Sequence, residues 1–183
     1  MTNPLEHAFG RLWTIDDLES LPDDGNRYEI FDGSLLVSPH ADVSHGITSN
    51  KLRRLLDRQA PDDLFVGQDI GISRRVSSYF VPDVFIVNAA AQSKRGTAWD
   101  PADVVLVVEV LSDGNRGRDL VLKRHEYAAA GIPLYWIVDP GEQAMRVFEL
   151  DSAAYREVET VRPGSAWSTT RPFPLSFDLG DVF

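Results

Sequence analysis

Apolar runs of four to eight residues, separated by polar punctuation, dominate this chain and predict its elements in order. Thr14 to Leu21 reads as a short helix: Thr14 can cap it, Asp16 and Asp17 suit its first turn, and Pro22 stops it. Tyr28 to Ser38 predicts a hairpin turning at Asp32-Gly33, with Pro39 as its end. Ser44 to about Ala60 carries Ile47, Leu52, Leu55 and Leu56 at helical spacing, the stripe of a helix packed on a sheet. Three strands follow: Phe65 to Arg75 with an interruption at Gly67, Tyr79 to Val87, and Val104 to Leu111. A helix from Arg116 to Ala130 ends at Gly131 and Pro133; Leu134 to Val138 is a strand, and Met145 to Leu150 with Tyr155 to Val161 forms a closing hairpin. This order predicts an α/β (α+β) fold, a mixed sheet with helices against it and an N-terminal hairpin.

Neither a repeat nor a long linker divides the sequence, so residues 1–183 are expected to form one domain, with a core over about 14–160. Within the extension 161–183, Phe173, Leu175, Phe177 and Phe183 are expected to cover a core edge; a homodimer contact is the alternative use of the same side chains.

Three charged residues stand where the pattern asks for apolar ones. Glu109 interrupts Val104 to Leu111, a strand whose continuous apolar character implies burial on both faces. A buried carboxylate there must be protonated, paired with a cation, or bound to metal; the alternative is a strand-end Glu reaching solvent before Ser112-Asp113-Gly114. Asp83 shares a face with Val81, Phe85 and Val87, beside Pro82, which marks an edge, a bulge or a strand start; its alternative is a hydrogen bond to a nearby turn. Lys123 falls on the stripe Arg116, Leu120, Lys123, Tyr127 and Ala130, the face a helix would turn to the sheet. An i,i+4 pair with Asp119, or snorkelling to solvent, is the competing reading. Two inward acids and one inward amine explain one another.

Carboxylate oxygens suit a hard cation, Mg²⁺ or Mn²⁺, and a lysine can orient water or offset charge on a phosphate. The absence of cysteine excludes disulfides, thiolate metal sites and thiol chemistry, and no phosphate-cradling glycine loop is present. Among the four histidines only His45, at the start of a helix, is placed for function; a capping-region surface histidine is the alternative. No apolar run approaches the roughly 20 residues of a membrane span, and the N-terminus lacks the pattern of a secretion signal, so a cytoplasmic protein is expected. A net charge of −10 argues against a surface that attracts nucleic acid as a whole. A local rim from Arg53, Arg54, Arg74, Arg75, Lys94, Arg95, Arg116 and Arg118 is compatible with it, as is the reading that these are solvated charges.

In order along the chain, Tyr28-Glu29-Ile30-Phe31-Asp32-Gly33, His45-Gly46, Pro82-Asp83-Val84, Glu109-Val110-Leu111-Ser112, Asp119, Lys123, Tyr127 and Tyr135-Trp136-Ile137-Val138-Asp139 resemble the pattern of the Uma2 family, in the PD-(D/E)xK restriction-endonuclease-like superfamily. The resemblance implies a mixed central sheet flanked by helices. It implies a metal-dependent endonuclease that cuts nucleic acid, foremost DNA, with Asp83, Glu109 and Lys123 as catalytic residues. Asp83, Glu109 and the Val110 carbonyl would be the ligands of Mg²⁺ or Mn²⁺, while Glu29, His45, Asp119 and Tyr127 line the site. The common superfamily lysine stands two residues after the second acid, where this chain has Leu111; the Uma2-like pattern takes it from the next helix, at Lys123. Leu134 also departs, since related sequences carry Glu there. A nuclease-like binding or regulatory module without turnover is the main rival, and a hydrolase of smaller phosphoesters a third reading.

Overall fold

The computed structural model describes residues 12–39, 42–94, 96–112 and 118–183, with the side chains of 118–120 left aside. Thr14 donates from its backbone N–H and its hydroxyl to Asp17 Oδ2, both at 2.9 Å, and so opens α1 (Ile15–Leu18). The first hairpin pairs β1 (Arg27–Phe31) with β2 (Ser34–Ser38) across Asp32-Gly33, whose φ values of 44° and 79° give the doubly left-handed turn that suits strand twist. Helix α2 (Val43–Asp57) starts at Asp42, whose side chain accepts from the His45 N–H at 2.9 Å.

Two predicted strands each divide between two sheets. Phe65 to Arg75 becomes β3 (Leu64–Gly67) and β4 (Ile72–Arg75); Tyr79 to Val87 becomes β5 (Ser78–Phe80) and β6 (Val84–Asn88). The first member of one pair and the second of the other join the large sheet, and the remaining members join the small one. Physically, Val81-Pro82-Asp83 cannot continue a ladder, since Pro82 has no N–H to give, and the chain crosses there between sheets.

After β7 (Val104–Val110) the chain forms α3 (Arg118–Ala129) and returns as β8 (Leu134–Asp139), parallel to β7. A hairpin of β9 (Ala144–Asp151) and β10 (Ala154–Val161) follows, then β11 (Ala166–Thr169) paired with β12 (Leu175–Asp178). The large sheet has the order β10-β9-β8-β7-β6-β3, antiparallel except for β7/β8, and the small one β2-β1-β5-β4. The mixed sheet flanked by helices is therefore the observed architecture.

Strand alternation sends side chains to two cores. On one face Leu106, Val108, Trp136 and Val138 meet Leu52 and Leu56 of α2 and the C-terminal Trp167, Phe173, Leu175 and Phe177. On the other, Phe85, Val107, Tyr135 and Phe148 meet Tyr127 and Ala128 of α3 and Phe80 of the small sheet. The C-terminal aromatics thus pack into the core, as their pattern suggested. The α2 stripe is corrected at one position: Ile47 is 50% exposed, and His45, Thr48 and Ser49 take the buried face beside Leu52 and Leu56. Polar residues replace apolar ones there because this end of α2 faces a cleft rather than the sheet core.

Gly67 ends β3 against the ring of Phe85, where a Cβ would come within 2.3 Å of Cζ. Phe85 is fully buried and cannot give way cheaply. Gly67→Ala is expected to lower stability by about 2 kcal/mol; a denaturant midpoint equal to that of the parent protein would contradict this packing.

Candidate functional site

The site forms where β6 and β7 part company. Val84 pairs with Val108, so Asp83 stands level with Glu109, just where the chain before β6 leaves for the small sheet. The N–H of Val110, which loses its ladder partner there, donates instead to Asp83 Oδ2 at 2.8 Å. The carboxylate thus ends the ladder and is held by it. His45 Nε2 reaches the same oxygen at 3.0 Å; since an ionised carboxylate only accepts, that nitrogen carries the proton. The other oxygen, Oδ1, accepts from Arg27 Nη1 at 2.8 Å.

Glu109 lies on the face of β7 turned to α3. Its Oε1 accepts from the Tyr127 hydroxyl at 2.8 Å and its Oε2 from Lys123 Nζ at 3.2 Å. Lys123 also sits 3.0 Å from Glu29 Oε1, and that oxygen takes the Val81 N–H at 2.8 Å. Lys123 is only 6% exposed, which excludes snorkelling. The Tyr127 ring is fixed between Phe80 and Tyr135, with centroids 6.0 and 5.8 Å away.

The structure therefore brings Asp83, Glu109, Lys123, Glu29, His45, Tyr127 and Val110 together from β1, α2, the residue before β6, β7 and α3. Asp119 belongs to α3, but its side chain lies outside the described residues. Leu111 is half-buried against the α3-side core, and Leu134 points to the opposite face of the sheet from Glu109, so neither departure from the related pattern removes a group from this cluster.

Sequence reading missed Arg27. Alternation along β1 puts Arg27 on the face of Glu29, a signal that was available, but an Arg two residues from a Glu on a short strand looks like a solvated pair. Its partner is 56 residues away. Of the two readings of the basic residues, a rim or solvated charges, the structure fits the second. Arg53 faces Asp57 at 3.7 Å, Arg75 faces Asp32 at 3.7 Å, Lys94 bonds Asp103, and Arg74 donates to the Ala129 carbonyl. Arg53 is half-buried and the others are exposed; each has a partner nearby, and neither they nor the exposed Arg54 line the cleft. Arg95 and Arg116, and the side chain of Arg118, lie outside the described residues.

The cleft itself, about 560 Å³, is lined by Arg27, Tyr28, His45, Gly46, Ser49, Gln68, Asp69 and Tyr79 among others. Behind Arg27 and His45 of this lining lies the buried charge cluster. Burial alone would push Asp83 up, but the His45 hydrogen bond and the Arg27 charge override it and hold the carboxyl at about 2. Burial pushes Glu109 up to about 7, against the Lys123 ammonium and with help from the charges of Asp83 and Glu29. Burial favours a neutral Lys123, yet Glu109 and Glu29 keep it charged beyond the ordinary lysine range. For His45, burial is likewise outweighed by the hydrogen bond and charge of Asp83, and its pKa is raised. Two neighbouring acids thus sit on opposite sides of their usual range, the division of labour that acid–base chemistry uses.

As for a metal, the donors are carboxylate oxygens with a backbone carbonyl next to them, and no thiolate competes. That set fits the class of Mg²⁺ or Mn²⁺, which need only one or two carboxylates and keep several waters. Among the described residues no three acidic, histidine or cysteine side chains are arranged as a ready cage; the carboxylates here are held by cationic side chains instead.

A raised folded-state pKa for Glu109 contributes stability that is fully present below about pH 4.5 and is lost as pH rises through about 7. Relative to Glu109→Gln, the parent protein is expected to lose on the order of 1 kcal/mol per pH unit between those limits. Denaturant unfolding of both proteins at a series of pH values checks this, and parallel stability curves would rule it out.

With the geometry in place, comparison with known proteins gives a consistent family. Residues 15–180 match the model of the Uma2 family, described as "Putative restriction endonuclease". The fold is similar to that of a crystal structure described as "a putative nuclease belonging to DUF820" from Anabaena variabilis, with a TM-score of 0.74 and 16% identity over 93% of this chain and 97% of that one. No curated protein matches the chain. No helix among the described residues is long and apolar enough to cross a membrane. Since the family match spans nearly all the elements that build the sheet and its cleft, the chain belongs to the Uma2 family.

Proposed function

We propose that this protein is a metal-dependent endonuclease that hydrolyses phosphodiester bonds of nucleic acid, foremost DNA. The carrying observation is the buried set in which Lys123 Nζ lies 3.2 Å from Glu109 and 3.0 Å from Glu29, beside Asp83. Family membership and the description of the fold neighbour as a nuclease support the same reading.

Asp83, Glu109 and the Val110 carbonyl are the proposed holders of Mg²⁺ or Mn²⁺. When bound, such an ion supplies Lewis acidity to the phosphate and makes water a better nucleophile. The chain's own groups do the rest. Lys123 stands between Glu29 and Glu109, where its ammonium can orient a water and offset the charge that gathers on phosphate oxygens. Tyr127 fixes the rotamer of Glu109 through its hydroxyl. Glu29 holds Lys123 at 3.0 Å, and His45 and Ser49, one turn apart on α2, line the cleft that a phosphate would enter.

A second reading has one observation in its favour. Each carboxylate oxygen named above already has a donor from Arg27, His45, Val110, Tyr127, Lys123 or Val81, so the network is complete as a set of structural ion pairs. A nuclease-like binding module without turnover would look the same.

Asp83→Asn and Glu109→Gln keep volume and remove the charge, and each is expected to reduce Mg²⁺- or Mn²⁺-dependent cleavage by about a thousandfold or more. DNA, RNA and mononucleotide substrates compared in one assay, with a chelator as control, distinguish the nuclease from a hydrolase of small phosphoesters. Parent-like activity in either variant, or no cleavage of any substrate by the parent protein, sinks the proposal. Lys123→Ala leaves two buried carboxylates without their cation, so it is expected to cost about 3–5 kcal/mol of stability as well as activity. Thermal unfolding would show that loss; an unchanged transition would mean the ion pairs contribute little.

A further inference from the structure

Arg27 lines the cleft and has no part in this chemistry. It reaches across from the small sheet and forks between two acids: Nη1 lies 2.8 Å from Asp83 Oδ1 and 3.3 Å from the Val81 carbonyl, and Nη2 lies 2.9 Å from Asp69 Oδ1. The two oxygens of Asp83 differ sharply in what holds them. Oδ2 is gripped by the Val110 N–H, fixed in a central strand, and by His45, fixed in α2. Oδ1 is held by a long side chain that is a quarter exposed and lines the cleft.

Rotation of that side chain away from Asp83 has a ready landing place. Asp69, at φ 55° in the turn after β3, is more than half exposed and already shares the guanidinium. Beyond it the cleft opens, with Tyr28, Gln68 and Tyr79 around the same space. A planar, always-charged fork is suited to a phosphate's paired oxygens. By contrast, a divalent cation at Oδ1 and a guanidinium at the same oxygen repel each other, and both cannot hold it closely.

We propose that Arg27 is a displaceable counter-ion: it competes with the divalent cation for Asp83 Oδ1 and, once displaced, binds a phosphate of the nucleic-acid substrate. This rests on the reading above that Asp83 is a metal ligand. It deepens that reading by making metal and substrate binding cooperative. A phosphate that draws Arg27 away frees the oxygen for the cation, and the cation that takes the oxygen delivers Arg27 to the phosphate. Linkage requires the two effects to be equal. Arg27 would then act as a positioning residue in its first role and as a substrate contact in its second.

The test is a calorimetric titration with Mn²⁺, with and without a non-hydrolysable phosphorothioate DNA duplex, on the parent protein, Arg27→Gln, Arg27→Lys and Asp83→Asn. The parent is expected to bind Mn²⁺ about tenfold more tightly when the duplex is present. Arg27→Gln, lacking the competing charge, is expected to bind Mn²⁺ about tenfold more tightly than the parent without DNA and to show little further gain with it. Arg27→Lys keeps a charge without the fork, so it should lie between the two; it carries the test if circular dichroism shows that Arg27→Gln does not fold. Mn²⁺ binding that is lost in Asp83→Asn but unchanged in the folded Arg27 variants overturns the counter-ion role and leaves the metal reading intact. Mn²⁺ binding to none of the proteins overturns both.

Discussion

A single buried ammonium ties this molecule together. Lys123 is supplied by the crossover helix, Glu109 by the centre of the large sheet and Glu29 by the small sheet, so one cation joins three layers at a single point. Three carboxylates in so small a buried volume would repel one another and water would have to enter. Lys123, Arg27 and a protonated-side His45 remove that need. Such networks are weak arguments for stability, since desolvation offsets much of the attraction, but they fix geometry closely because a misplaced member leaves a bare charge. The cleft floor is built to hold positions, and stability comes from the two apolar cores on either side.

The electrostatic division between Asp83 and Glu109 follows from topology. Asp83 sits at the strand start, within reach of a helix histidine, an arginine from the other sheet and a strand N–H, all of which favour the charged form. Glu109 sits one strand inward with a lysine and a tyrosine, and burial dominates. Two carboxylates at equal height on neighbouring strands thus acquire different proton affinities without any difference in residue chemistry beyond one methylene. The counter-ion proposal for Arg27 uses the looser of the two grips on Asp83.

Much of this was legible in the residues because burial makes polar exceptions conspicuous. Glu109 stands out within an otherwise apolar run of valines and leucines, and Lys123 falls on the same helical stripe as Tyr127, which is where it points. The helices, the strand after the second long helix and the C-terminal aromatic packing followed from periodicity and punctuation. What escaped has a shared cause. The division of two strands between sheets, the exposure of Ile47 and the reach of Arg27 are all set by contacts between segments far apart in sequence, and a local pattern carries no record of them. Pro82 marks a strand start or irregularity, but nothing near it tells that the strand before belongs to a different sheet.

The junction at Val81-Pro82-Asp83 has one more implication, for assembly. Every bond that shapes the cleft floor bridges remote stretches: Arg27 to Asp83, Glu29 to Val81, His45 to Asp83, Lys123 to Glu109. A nascent or partly melted chain, in which the small sheet has not yet docked, would expose these charges to water as ordinary independent titrating groups. On the proposed reading, the site and the completed fold therefore arrive together.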